Sequence, residues 1–300
     1  MTSFNQLEAF LILAECLNLT ETAQRMHCSQ PAMSQKIRAL EQGLNAVLFD
    51  RIGKRLYLTH QGKEFRVYAA QAVNTMKAAR EHLRQMDNPL KGNITFGASS
   101  FIGIYLLPRL LSLYRKKAPD LLFTVDITNS HQLLHKLETN DVEFLLLSDH
   151  IAFDADRYLL TNFYRDDLVL ITSPNHRFAQ QGYCQLKDLS DEFFLTKPDG
   201  SATHSFLFNA IRAAGVELHR LISISSLEAI KQGVIHELGV SIMSRLAVAH
   251  EIKYGTLVEV QINDIKFERG IRIVHHIEKQ LSPAATLFLN TLKDATTFSG

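Results

Sequence analysis

Gln30, Ser34, Gln35, Lys36 and Arg38 fall at intervals that place them on the outward side of a single short helix, and their side chains are the kinds that read a DNA duplex. Gln pairs bidentately with adenine, Arg with guanine, and Ser or Lys with phosphate oxygens, so such a helix can both position and specify. Ser29 marks its start as a capping hydroxyl and Pro31 fits its early turn, which puts the first helical residue near Gln30. Ala32, Met33, Ile37 and Leu40 recur at helical spacing and form the expected core side. Upstream, Thr20 opens a helix with Ala23 and Met26 on its apolar face, and a break at His27-Cys28 separates the two, as in a helix-turn-helix. A small helical bundle with a solvated polar face is the competing reading.

The next stretch favours the DNA reading. Leu48-Phe49-Asp-Arg51 runs from apolar to charged, Ile52-Gly53-Lys54-Arg55 is a tight basic turn, and Leu56-Tyr57-Leu58-Thr59 is strand-like with a polar end. Residues 1–60 thus read as a winged helix-turn-helix. Its candidate DNA contacts are Thr20, Ser29, Gln30, Pro31, Ser34, Gln35, Lys36, Arg38, Arg51, Lys54 and Arg55; the three wing cations would neutralise phosphates, a sequence-blind and salt-sensitive contribution. Charge follows the same division. The net charge of the 300 residues is only +1, yet residues 1–91 hold 12 Lys and Arg against 8 Asp and Glu, so the basic excess sits with the reading head.

Residues 61–88 have no proline before position 89 and carry an apolar series at Phe65, Ala69, Ala72, Met76, Ala79, Leu83 and Met86, spaced alternately by four and three. That alternation marks a seam seeking a partner helix, so this segment is read as a dimerising linker, against the alternative of a helix lying on its own domain. Two reading heads on one coiled coil suit a two-fold symmetric operator. Asn88-Pro-Leu-Lys-Gly92 ends the helix, with residues 89–92 as hinge.

Beyond the hinge the pattern becomes strand, helix, strand, helix, which implies a parallel sheet covered by helices, in two α/β lobes. Open sheets of this kind bind ligands past the carboxyl ends of their strands. Small polar groups gather at those places: Ser99, Ser100, Asn129, Ser130 and Ser148 in one lobe; Thr196, Lys197, Gly200, Ser201, Ala202, Thr203, His204 and Ser226 in the other. Hydroxyls, side-chain amides and free helix-start amides can hold an anion, and Lys197 and His204 add to that. Each serine is also an ordinary helix cap in its own right; the recurrence in both lobes is what suggests a ligand site.

The runs Phe10 to Glu15, Leu19-Thr-Glu-Thr-Ala23, Ser29-Gln-Pro-Ala-Met-Ser34, Ile37 with Leu40-Glu41, Leu48-Phe-Asp-Arg51 and Leu58-Thr-His-Gln-Gly62 resemble the N-terminal domain of LysR-type transcriptional regulators. Leu238 to Met243 with Arg245, and Leu281-Ser-Pro-Ala284 with Phe288, extend the resemblance to the C-terminus. It implies an effector domain like a periplasmic binding protein, with lobe I at 93–162 and 267–300 and lobe II at 163–266. It also implies assembly as a dimer or a dimer of dimers, a homotetramer, with RNA polymerase as a further partner. Residues 94–108 and 197–203 are similar to the branch associated with sulfur assimilation, whose effectors are small sulfur metabolites or oxyanions. Gln35 and Lys36 replace the usual Arg-Gln, and Lys197, Ala202 and His204 depart from that branch. The expected mechanism is a ligand that prefers closed lobes and so shifts the spacing of the reading heads.

Other classes find less support. There is no nucleophile elbow, no GxGxxG opening a helix and no Walker loop, so no enzyme is expected. His131 and His135 lie four apart but lack the Glu of a HExxH motif, and neither a metal nor a cofactor is expected. Cys16, Cys28 and Cys184 are too scattered for a disulfide framework; a thiol redox sensor of the same architecture is the alternative to ligand control. A stand-alone solute-binding protein would leave residues 1–88 unexplained. No apolar run of 18 residues and no secretory leader pattern occurs, so a cytoplasmic location without a membrane is expected.

Overall fold

The computed structural model describes residues 2–53 and 55–296. Lys54, named above as a wing cation, and residues 297–300 of lobe I lie outside the described residues. The chain opens with α1 (Phe4–Cys16), α2 (Leu19–Arg25) and α3 (Gln30–Leu44), then a hairpin of β1 (Phe49–Ile52) and β2 (Arg55–Leu58). Ala9, Phe10, Leu13, Ala23, Met33, Ile37, Leu40 and Leu48 form one buried core beneath them. Ala32, expected on the core side, is exposed, because it sits about 100° around the helix from the stripe of Met33, Ile37 and Leu40. The 28-residue α4 (His60–Asp87) follows, its start capped by Thr59 Oγ1, which accepts from the Gly62 amide at 2.9 Å.

Lobe I contains β3 (Gly92–Ser99), a π-helical turn (Ile102–Leu106), α5 (Leu107–Arg115), β4 (Leu121–Thr128), α6 (Ser130–Glu138) and β5 (Leu145–Ser148). The 15-residue β6 (Tyr158–Thr172) then carries the chain out of it. Lobe II contains α7 (Arg177–Gln181), β7 (Tyr183–Cys184), a 3-10 turn (Leu186–Leu189), β8 (Phe193–Thr196), α8 (Ala202–Ala213), β9 (Arg220–Ser223), α9 (Leu227–Ile235), β10 (Ser241–Ser244), α10 (Arg245–Tyr254) and β11 (Val258–Ile262). Finally β12 (Phe267–His276) returns to lobe I, which α11 (Pro283–Thr296) closes.

The expected all-parallel sheet is instead mixed. Strand order is β4-β3-β5-β12-β6-β11-β7 with β10 also on β6; β3 pairs β4 and β5 in parallel, whereas β12 pairs β5 and β6 antiparallel. The reason is the return path. A strand that leaves one lobe and a strand that comes back must run in opposite directions, and here they lie side by side over ten residue pairs, with an irregularity at Ile271/Arg272. This ribbon connects two separate cores: one under β3, β5 and α11, centred on Phe96, Phe144 and Phe288, and one in lobe II around Leu170, Phe194 and Ile242. Burying such side chains contributes about 1.5–3 kcal/mol each, which makes each lobe a stiff body.

Candidate nucleic-acid interface and effector cleft

The outward face of α3 is presented as a polar surface. Ser29 Oγ accepts from the Ala32 amide at 3.4 Å, Pro31 occupies the first turn, and Gln30, Gln35 and Arg38 are exposed with Ser34 half-buried beside them. Lys36 differs from its neighbours: its ammonium donates to Asn5 Oδ1 and ties α3 to the start of α1. Thr20 is exposed in the first turn of α2, whose cap is Asn18 Oδ1 accepting from the amides of Thr20 and Glu21.

On the wing, Arg51 pairs across from Leu56 and Arg55 from Ile52, with Gly53 at φ 63° forming the tip. Arg38, Arg51 and Arg55 make no ion pair among the described residues, so their charge is available to phosphates. Glu41, which sequence reasoning left unassigned, sets the wing's position: its Oε1 accepts from the Leu48 and Phe49 amides at 2.8 and 3.2 Å.

The seam of α4 divides in two. Phe65 and Ala69 pack into the reading head's core, while Ala72, Met76, Ala79, Leu83 and Met86 are exposed. A different face of the same helix rests on lobe I through polar contacts: Gln71 Nε2 donates to the Glu138 carbonyl, Asn74 Nδ2 to that of Thr139, and Gln85 Nε2 to that of Asn93. The helix therefore lies on its own domain and still leaves most of its apolar stripe free.

Between the lobes is a narrow cleft bordered by Phe101, Thr196, Lys197, Thr203, Ser244 and Arg269, with apolar walls from Leu207, Leu227, Ile230 and Met243. Its free volume is about 30 Å3, room for a water or two. Thr196 ends β8 and Thr203 lies in the first turn of α8. Ser201 caps that helix, accepting from the His204 amide at 3.2 Å, and Gly200, at φ 83°, makes the exposed turn before it. Ala202 is its first residue.

His204 Nδ1 donates to the Lys197 carbonyl at 2.9 Å and its ring stacks on Phe208 at 4.0 Å, so one nitrogen is committed locally. The Lys197 ammonium donates to the Ser225 carbonyl, and burial lowers its pKa. Ser99 and Ser100 directly precede Phe101. Asn129 and Ser226 act as caps, accepting from the Gln132 and Ala229 amides; of the expected effector residues only Thr196, Lys197 and Thr203 line the cleft, and Ser99, Ser100, Asn129, Ser130, the buried Ser148, Gly200, Ser201, Ala202, His204 and Ser226 are outside it.

The charged floor of the cleft was not anticipated. Arg269 on β12 and Asp166 on β6 form an ion pair at 2.8 Å, and Ser244 Oγ donates to the other Asp166 oxygen at 2.6 Å. Burial pushes the carboxyl up and the guanidinium down, and their mutual attraction opposes both shifts. The partners are 103 residues apart, so no local spacing could reveal them. His150, just after β5, reaches across to α8, its ring 5.1 Å from that of Phe206; burial first and then Arg269 lower its pKa.

Cys184 lies in the core of lobe II, its thiol pushed up to about 11 by burial and the nearby carboxylates of Asp188 and Asp264. A thiol held protonated in this way is a poor nucleophile, which removes support from redox sensing at this residue.

No helix among the described residues is long and apolar enough to cross a membrane. The family model described as "Bacterial regulatory helix-turn-helix protein, lysR family" matches residues 4–63, and the "LysR substrate binding domain" matches 87–297. A RuBisCO operon transcriptional regulator of Allochromatium vinosum is 27% identical over 289 residues, covering 95% of this chain and 94% of the relative. The fold is shared with full-length CbnR complexed with its target DNA, at a TM-score of 0.74 and 21% identity over 98% of this chain and 99% of that one. It is shared too with the regulatory domain of Synechocystis CcmR in complex with 2-PG, at 0.63 and 24% over 70% of this chain and 99% of that one. With a reading head and a two-lobed domain each matched by a family model, joined by a long helix, the chain belongs to the LysR family of DNA-binding transcriptional regulators.

Proposed function

We propose that this regulator reads its operator with the exposed face of α3, flanked by Arg51 and Arg55 on the wing, and that a small anion entering the interlobe cleft controls the reading. The observation that carries the first part is the coincidence of Gln30, Gln35 and Arg38 on one exposed face with Arg51 and Arg55 on the wing, which make no ion pair among the described residues. The anion is inferred from Lys197, Thr196, Thr203 and the start of α8 around a single opening. Pairing of heads along Met76, Ala79, Leu83 and Met86 supplies two-fold symmetry, and a dimer of dimers follows if two such pairs join. The chain works in the cytoplasm, with RNA polymerase as the partner that converts DNA geometry into transcription.

Two pathways compete as the source of the anion. The likeness of residues 94–108 and 197–203 to sulfur-assimilation regulators points to sulfur metabolites; the name of the Allochromatium relative and the 2-PG held by CcmR point to carbon fixation. Pulldown of genome fragments by the full chain, with and without sulfite, sulfate, thiosulfate, O-acetylserine and 2-PG, reports operator and ligand response together. Enrichment of discrete fragments that one ligand alters supports the reading. Recovery indistinguishable from scrambled DNA removes it, and recovery that ignores all five ligands removes these two pathways as the source of the anion.

A further inference from the structure

We infer that Arg269 recognises the acidic headgroup of the effector through the outer edge of its guanidinium, and that the cleft is built for a single negative charge, a small monocarboxylate with a compact apolar body. This rests on the effector-cleft reading above and names the ligand class of that site.

The argument begins with how the guanidinium is held. Nε donates to an oxygen of Asp166 at 2.9 Å and Nη2 lies 2.8 Å from the same oxygen in the ion pair, so the carboxylate takes the inner edge side-on. Ser244 fixes the other carboxylate oxygen, and the Phe101 ring covers the guanidinium plane at 4.5 Å. Nη1 donates only to Thr203 Oγ1, at 3.2 Å. A guanidinium has five N–H groups. The ion pair takes the edge made by Nε and Nη2, and the opposite edge, made by Nη1 and Nη2, is the fork that matches a carboxylate bidentately. Both Arg269 and Thr203 border the cleft. Arg269 is therefore preorganised, with one edge paired and stacked and Nη1 of the other against a hydroxyl that can join it in holding an oxyanion once the lobes part.

Charge then limits the ligand. The cations at the cleft are Lys197 and Arg269; Asp166 already neutralises Arg269 and Asp149 adds a nearby negative charge, so the site carries at most one uncompensated positive charge. His150 is held towards its neutral form. A monoanion balances this site; a dianion brings excess charge into a setting walled by Leu207, Leu227, Ile230 and Met243, where its desolvation is not repaid. Room for a water or two means the lobes must part to admit even a three-carbon acid, and the Arg269–Thr203 bond with the Phe101 stack is what spans the opening.

The test follows thermal unfolding of the full-length protein in titrations of sodium propionate, sulfate and phosphate at constant ionic strength and pH. Propionate is expected to raise the wild-type Tm by about 3 °C or more at saturation, and beyond either dianion. Arg269→Lys, which keeps the charge and loses the fork, should abolish the propionate shift. Because that change touches a buried pair, Thr203→Val provides a second variant that leaves the pair intact, with propionate affinity expected to fall about tenfold. Propionate shifts unchanged in both variants, or sulfate or phosphate exceeding propionate, would overturn this assignment while leaving an anion-binding cleft in place. If no anion moves the wild-type Tm, the cleft reading and this inference fall together.

Discussion

The Phe10 and Phe65 rings meet at a centroid distance of 5.1 Å, and Phe10 also lies 5.5 Å from Phe49, so one side chain of α1 joins the reading head to both the linker helix and the wing. The orientation of α1 relative to α4 is therefore set by aromatic packing rather than by a flexible joint. Phe65→Ala should destabilise the head by about 3 kcal/mol, the lower end for such truncations because Phe65 is only partly buried. Chemical denaturation followed by circular dichroism would show an early transition for the head; a single unchanged transition would refute the coupling.

The two kinds of DNA contact separate by substitution. Gln30→Ala removes a side chain suited to a base edge and should cost about 1–3 kcal/mol on operator DNA with little change on random DNA. Arg55→Ala removes a phosphate contact, so it should weaken both and lower the slope of log affinity against log salt by about one. Fluorescence anisotropy across a salt series measures all four quantities. Equal losses on both DNAs for each variant would contradict the division of roles.

Local chemistry made much of this molecule legible. Ser29 and Pro31 announced α3, and Asn88-Pro89 the end of α4 at Asp87, while Gly92, read as the last hinge residue, is already the first of β3. What escaped was long-range. Nothing beside Asp166 signals Arg269, because a charged residue in an alternating strand reads as an outward one until its partner strand is known. In the same way, Asn129 and Ser226 cap α6 and α9 and lie outside the cleft lining, which sequence could not show because a cap and a ligand site have the same residue preferences. The mixed sheet escaped because the direction of β12 depends on a return crossing that no motif records.

The exposed half of the α4 seam should control self-association. Met76, Leu83 and Met86 are 47%, 65% and 64% exposed, and covering side chains of this size is worth about 1.5–3 kcal/mol each. Replacing Leu83 and Met86 together by Glu puts two charges on that stripe without touching a buried group. Sedimentation equilibrium should show association weakened at least about tenfold, with helix content unchanged. An unaltered oligomer would move the principal interface elsewhere.

Cys184 should be silent towards oxidants. With its thiol pKa at about 11, the thiolate is on the order of one part in ten thousand at pH 7, and the group is buried. Peroxide treatment of the full chain should leave DNA binding unchanged, and Cys184→Ser should bind as wild type does. Loss of binding on oxidation that Cys184→Ser prevents would restore the redox reading.

His150 should make the cleft sensitive to acid. Its ring nitrogens are buried without a well-formed hydrogen bond, and burial together with the Arg269 charge lowers its pKa below the ordinary 6.5. A depressed folded pKa means the unfolded chain takes up the proton first. The stability His150 contributes is therefore complete above about pH 6.5 and is lost as pH falls towards the depressed value, no more steeply than about 1.4 kcal/mol per pH unit for one proton. Asp149 next to it partly offsets the shift, and His275, also lowered by burial, adds its own acid sensitivity. His150→Phe keeps a ring against Phe206 and removes only the titration at this position, so His275 cancels in the comparison. Between pH 7 and pH 5 the wild type should lose more stability than His150→Phe in denaturant titrations; parallel losses would show that the interlobe contact does not depend on a neutral imidazole.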